Sequence, residues 1–227
     1  MFFMFDIGQT LLDNKQPPVQ QIMQNINISK NKKDILKKIL FTMDYGNDVN
    51  GLVRNIEYRC GIEFELKDKV SLMEIIRHQE LESFPMKGSK EFTNSVIDSE
   101  FEYCLVSNIW GPFYRAFRDN FIKFNLNAKK KYLSHEMGCR KPYGEFYRKV
   151  IDDLGYNVSN LCIIGDHWDN DIIPMLKLGG KAIWFNHKLE ELPGIHKNLY
   201  SVTTYEQILA HMDQLQHVSH RRQLGMY

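Results

Sequence analysis

Hydrophobic residues are distributed along this chain in two patterns. Short unbroken runs rich in aromatic and β-branched side chains stand at Phe2–Phe5, 103–106, 161–164 and 182–185, with a weaker one at Lys131–Leu133. Each is followed by turn-forming residues and, late in the chain, by a helical period. Phe146, Tyr147, Val150, Ile151 and Leu154 fall on one face of such a helix, with Arg148, Lys149, Asp152 and Asp153 opposite. Pro142 suits its first turn and Gly155 its end. Strand and helix in alternation predict a parallel sheet covered on both faces.

The second pattern fills residues 14–83. Val19, Ile22, Met23 and Ile26 repeat at helical spacing, as do Ile35, Ile39, Leu40 and Met43, then Leu72, Ile75 and Ile76, with no strand-like run between them. The expected organisation is a Rossmann-like, doubly wound α/β core formed by residues 1–13 and 84–216, with strand order 3-2-1-4-5 or an extension of it. A small all-helical domain of residues 14–83 is inserted after the first strand, on linkers near 13–16 and 83–88. A polar, frayed tail of residues 217–227 ends the chain.

The bulk composition adds exclusions. A length of 227 residues with 43% hydrophobic and 25% charged side chains fits a core domain carrying a smaller insertion. Twenty-nine basic against twenty-eight acidic residues leave a net charge of +1, so no charge excess is available for a nucleic-acid backbone. No stretch approaches the roughly 20 apolar residues of a membrane span, and the apolar residues 1–5 meet Asp6 too soon for a signal peptide. The four cysteines, at 60, 104, 139 and 162, have neither C-x-x-C nor metal-ligand spacing. A reducing, cytoplasmic setting is expected. The lysines at 30, 32, 33, 37 and 38 read as a solvated helix face.

The candidate chemistry lies at strand ends. In a doubly wound sheet, ligands bind outside the carboxyl ends of the strands where the winding reverses. Asp6 follows the first run, Asp166 follows the fourth, and Ser107-Asn108 ends the second. Two carboxylates, a hydroxyl and an amide are thereby predicted around one crevice.

The motifs carrying these residues resemble those of the haloacid-dehalogenase-like (HAD-like) hydrolase superfamily. Phe5-Asp6-Ile7-Gly8-Gln9-Thr10-Leu11 is similar to its first signature, Val106-Ser107-Asn108 to the second, and Lys141-Pro142 to the third. Gly165-Asp166-His167-Trp168-Asp169-Asn170-Asp171 is similar to the fourth, in its G-D-x-x-x-N-D form. The run 134–138 also resembles the stretch before the family's lysine, and the helical insertion stands where the family places a cap. The resemblance implies Asp6 as a nucleophile that becomes an aspartyl-phosphate. It implies Mg²⁺ held by Asp6, Asp166 and the Gly8 carbonyl, with Asp171 beside it orienting a metal-bound water or Lys141. Lys141, the Ser107 hydroxyl and the Asn108 backbone N–H are implied to bind the phosphoryl oxygens. The substrate implied is a small phosphorylated metabolite.

One position departs from the phosphatase pattern. The second aspartate, two residues after the nucleophile, is replaced by Gly8, which can neither protonate a leaving group nor activate water. Asp13 and His78 are the candidates to replace it. The same departure keeps other readings open: a phosphonate hydrolase, which needs a Schiff-base lysine from the cap, a 2-haloacid dehalogenase, which uses no Mg²⁺, or a catalytically weakened regulatory protein that binds Mg²⁺ and a phosphorylated ligand. His167 is expected as a loop residue and Trp168 as a packed one.

Overall fold

The computed structural model describes residues 1–223. Eight strands are present in it: β1 (Phe2–Phe5), β2 (Leu12–Asp13), β3 (Phe84–Pro85), β4 (Tyr103–Ser107), β5 (Lys131–Leu133), β6 (Leu161–Gly165), β7 (Lys181–Phe185) and β8 (Leu199–Val202). Six form one parallel sheet in the order β5-β4-β1-β6-β7-β8. This is the doubly wound order extended by one edge strand. Leu199-Tyr-Ser-Val202 lacks a solid apolar run because it lies at the edge, where only Val202 is fully buried. In β1, by contrast, all four residues are buried. Phe3 and Phe5 enter one core cluster, and Phe2 and Met4 enter the other, as the two-residue period of a strand requires.

Helices cover both faces. On the Phe3/Phe5 side lie α5 (Ser89–Asp98), α6 (Gly111–Asn120), α7 (Ile122–Asn127) and α11 (Tyr205–Gln223), numbered after the four helices of the insertion. On the Phe2/Met4 side lie α9 (Gly144–Leu154) and α10 (Ile173–Lys177), while the short α8 (Ser134–Met137) follows β5 directly. The apolar face of α9 is the expected one, with Phe146, Tyr147 and Val150 buried and Gly155 closing it at φ 69°. Pro142 stands two residues before α9 rather than in its first turn, because the helix begins at Gly144. After the fourth motif a wide turn at Trp168–Ile172 runs directly into α10. Helix α11 continues to Gln223, beyond residue 216 where the sequence suggests fraying, and the remainder of that polar tail, 224–227, lies outside the described residues. No helix among the described residues is long and apolar enough to cross a membrane.

The insertion carries α1 (Pro18–Asn25), α2 (Lys33–Thr42), α3 (Val49–Cys60) and α4 (Leu66–Leu81), and no strand of the main sheet. Asp48 caps α3 by accepting from Gly51 N at 2.8 Å, and Gly61, at φ 67°, ends it. Glu65 and Asp68 form a capping box at the start of α4. The buried faces of these helices join the core cluster of the Phe3/Phe5 side, which continues through Ile109, Trp110 and Phe113. Where the chain leaves the core and returns to it, β2 and β3 pair antiparallel, Leu12 with Pro85 and Asp13 with Phe84.

Candidate active site

The parallel register of β1 with β4 and β6 sets three strand ends side by side: Phe5 is level with Leu105 on one side and Ile164 on the other. The next residues therefore meet outside the sheet. Ser107 Oγ donates to Asp6 Oδ1 at 2.9 Å. Lys141, from the loop between α8 and α9, sends its ammonium beneath them, 2.7 Å from Asp6 Oδ1, 2.5 Å from Asp171 Oδ1 and 3.0 Å from the Val106 carbonyl. This lysine is only 2% exposed. Such a buried cation is stable only with carboxylates around it.

The Asn108 side chain has a role of its own, beside the one expected of its backbone N–H. Its side chain grips the backbone of Lys141 from both ends, accepting from Lys141 N at 2.8 Å and donating to Lys141 O at 2.9 Å. The amide thus places the lysine. Asp171 is fixed from its other oxygen, which accepts from His167 N at 3.1 Å. A glycine is needed just before Asp166: a Cβ on Gly165 would stand 2.6 Å from Asp171 Oδ2. Gly8 lines the crevice, and a Cβ there would meet only a Phe113 ring atom at 3.8 Å.

Burial and charge compete throughout. Burial works against the Lys141 ammonium, yet the carboxylates of Asp171 and Asp6 outweigh it and hold its pKa above the ordinary lysine range. Burial pushes the Asp171 carboxyl up, with Lys141 pulling against it and the charge of Asp6 adding to the rise. Asp166 is raised by burial and then by Asp6, with Lys188 opposing. Tyr147, buried under the site with its hydroxyl donating to Asn170 O at 2.7 Å, is raised by burial and by both neighbouring carboxylates.

Oxygen atoms of Asp6, Asp166 and Asp171 all lie within 4.8 Å of one another. An all-oxygen, carboxylate-rich donor set of this kind suits a small hard cation such as Mg²⁺. The surrounding crevice, of about 270 Å³, is lined by these carboxylates with Gly8, Gln9, Asp13, Ser107, Asn108, Lys141, His167 and Lys188 on the core side. Pro17, Phe41 and Gln79 line it from the insertion.

Of the candidates for the missing acid, Asp13 lines the crevice, its Oδ1 accepting from Asn14 N at 2.8 Å. His78 does not: it faces outward on α4, 3.8 Å from Glu82 and half exposed. Its neighbour Gln79, a helical step of about 100° away, is the residue turned inward, and it is 1% exposed. Trp168 packs against Trp184 with ring centroids 4.8 Å apart, while His167 stays in the crevice loop. Gln79 and Lys188 were not legible as site residues. One is a single polar residue on an apolar helix face, and the other is a lysine in a loop without a motif.

No protein-family model matches the chain, and no curated protein sequence matches it. Solved structures do. A 2-haloacid dehalogenase from Pseudomonas syringae pv. Tomato DC3000 superposes with a TM-score of 0.65 at 12% identity, covering 94% of this chain and 98% of that one. A HAD phosphatase from Thermococcus onnurineus gives a TM-score of 0.59 at 15% identity, covering 92% and 96%. A HAD family enzyme from Bacteroides thetaiotaomicron, in complex with magnesium and inorganic phosphate, gives 0.59 at 14% identity, covering 83% and 98%. With the sheet order and strand-end arrangement described above, these likenesses establish that the chain has the HAD-like fold.

Proposed function

We propose that the protein is a Mg²⁺-dependent phosphatase of the HAD-like type, acting on a small phosphorylated metabolite through an aspartyl-phosphate on Asp6. The observation that carries this reading is the grouping of Asp6, Asp166 and Asp171 oxygens within 4.8 Å of one another, with the buried Lys141 against Asp6 and Asp171. A dehalogenase needs the nucleophile but has no use for a metal-binding acidic set. A Schiff-base phosphonate hydrolase needs a lysine from the insertion, and among the described residues no lysine of 14–83 lines the crevice.

In the proposed reaction Asp6 attacks phosphorus and the ester oxygen departs. Water then cleaves the acyl-phosphate bond, returning the Asp6 carboxylate and releasing inorganic phosphate. Lys141 and the Ser107 hydroxyl face the charge that gathers on the phosphoryl oxygens, and Asn108 keeps Lys141 in position. Asp6 and Asp166 with the Gly8 carbonyl would hold Mg²⁺, with Asp171 beside it, and the ion would neutralise part of the same charge when bound. Residues 14–83 serve as the cap over this crevice, contributing Gln79, Phe41 and Pro17 to the side where a leaving group enters. With Gly8 in place of the usual acid, Asp13 is, Asp6 itself apart, the carboxyl on the crevice wall nearest in sequence to that position.

The test is a screen over a panel of phosphate esters with and without Mg²⁺, run beside Asp6→Asn and beside a 2-haloacid. Mg²⁺-dependent phosphate release that Asp6→Asn abolishes is expected. Metal-independent halide release would assign the dehalogenase reading instead.

A further inference from the structure

Asp166 draws its counter-charge from outside the four motifs. After β7 the chain makes a closed turn in which Asn186 donates from its side chain to Glu190 O and accepts from Glu190 N, each at 2.8 Å. Leu189 within it adopts a left-handed backbone at φ 58°. Lys188, held at this turn, reaches across the crevice mouth to Asp166 Oδ2 at 3.1 Å and to the side-chain oxygen of Gln9. Gln9 is itself left-handed, at φ 54°, with its N–H bonded to Leu12 O. Non-glycine residues seldom adopt this conformation and keep it only where their surroundings hold them in it. Two of them flank this one contact, so the backbone on both sides is shaped to make it.

The charges in the site are divided between two lysines. Lys141 is fully engaged by Asp6 and Asp171. Asp166, whose side chain is 9% exposed, is matched by Lys188, whose own side chain remains 46% exposed. An ammonium and a divalent cation cannot share a carboxylate oxygen at close range without strong mutual repulsion. A half-exposed lysine, however, leaves at little cost because water takes over its solvation. We propose that Lys188 is a tethered counter-ion of Asp166 which Mg²⁺ displaces on binding, so that this lysine lowers, and thereby sets, the Mg²⁺ affinity of the site. The inference rests on the metal-dependent reading given above. It gives the three carboxylates two ammoniums between them, so that Asp166 is not left as an unpaired charge when the ion is away.

Mg²⁺ affinity measured by titration calorimetry on the full chain, without substrate, tests this directly. Lys188→Met is expected to bind Mg²⁺ roughly 3- to 10-fold tighter than wild type, the scale of a partly exposed ion pair plus the removed repulsion. Lys188→Arg, which keeps the charge, should stay within about 2-fold of wild type. Lys67→Met, a change of the same charge at the far end of α4, should leave the affinity unaltered. In metal-free solution Lys188→Met should melt lower than wild type, and saturating Mg²⁺ should raise its Tm by more. Equal Mg²⁺ affinity in wild type and Lys188→Met, or weaker binding in the variant, overturns the displacement while leaving the metal site standing. Absence of Mg²⁺ binding in both proteins overturns the displacement and the metal-dependent reading together.

Discussion

The side-chain oxygen of Gln79 on α4 accepts a hydrogen bond from the indole N–H of Trp110 at the start of α6, 3.3 Å away. The same oxygen accepts from Asn14 Nδ2 at 2.9 Å, and the Gln79 amide nitrogen donates to Gln16 O at 2.9 Å. One buried amide therefore joins the insertion, the outgoing linker and the core on the crevice wall. Gln79→Met keeps the length of the side chain and removes all of these bonds. It should destabilise the protein by about 1–3 kcal/mol, the cost of stranding buried polar partners. Urea denaturation measures this, and a change within about 0.3 kcal/mol of zero would show that the network carries no net stability.

Asp6→Asn should abolish turnover with little change in Tm, because Lys141 keeps Asp171 as a partner. Asp166→Asn should lower both Mg²⁺ affinity and activity. Retained turnover in the first variant, or an unchanged Mg²⁺ titration in the second, contradicts the assigned role of that residue.

Gly8→Asp restores a carboxyl where the added Cβ meets nothing closer than 3.8 Å. Alkyl phosphates, whose leaving alkoxide needs protonation, should be hydrolysed at least ~10-fold faster by this variant, a modest share of what general acid catalysis supplies. Aryl and acyl phosphates should gain less. A wild-type enzyme that already cleaves alkyl esters as fast as the variant would point to Asp13, and Asp13→Asn should then remove that activity.

His135 is 5% exposed and its Nδ1 lies 3.0 Å from the Ile109 carbonyl. Burial lowers its pKa, with the charge of Glu136 opposing. A base depressed in the folded state takes up protons more readily when unfolded. Its contribution to stability is present above the ordinary histidine value of about 6.5 and is lost as pH falls through the folded pKa. The stability advantage of wild type over His135→Gln should therefore shrink as the pH is lowered below about 6.5. An advantage independent of pH in paired denaturation curves would show that His135 does not titrate with folding.

Legibility in the sequence followed physical context. The four inner strands were readable because a strand buried on both faces is a solid apolar run, as in Phe2–Phe5, whereas the edge strand β5 gave only the weaker run Lys131–Leu133. The edge strand Leu199–Val202 was not readable, since only Val202 is fully buried and Ser201 is exposed. Asp6, Ser107, Lys141, Asp166 and Asp171 could be located because each sits at a strand end or in a motif of fixed spacing, and the structure brings all five together. The role of the Asn108 side chain needed the position of Lys141, thirty-three residues later. The choice between His78 and Gln79 depended on the rotation of α4, which Leu72 and Ile75 fix by pointing inward. Lys188 required the fold of a turn whose closing bonds come from a single asparagine.

The pairing of β2 with β3 has an evolutionary corollary. Because Asp13 and Phe84 are partners across that ribbon, the chain departs from the core and rejoins it at nearly the same point in space. Whatever is spliced between them leaves the core's own chain path almost unaltered, and the entropy of closing a longer or shorter excursion there changes only logarithmically with its length. Such a junction is a natural port for exchanging one insert for another. The incoming module must only supply apolar cover for Trp110 and Phe113, while Asp6, a few residues upstream, keeps its place at the end of β1.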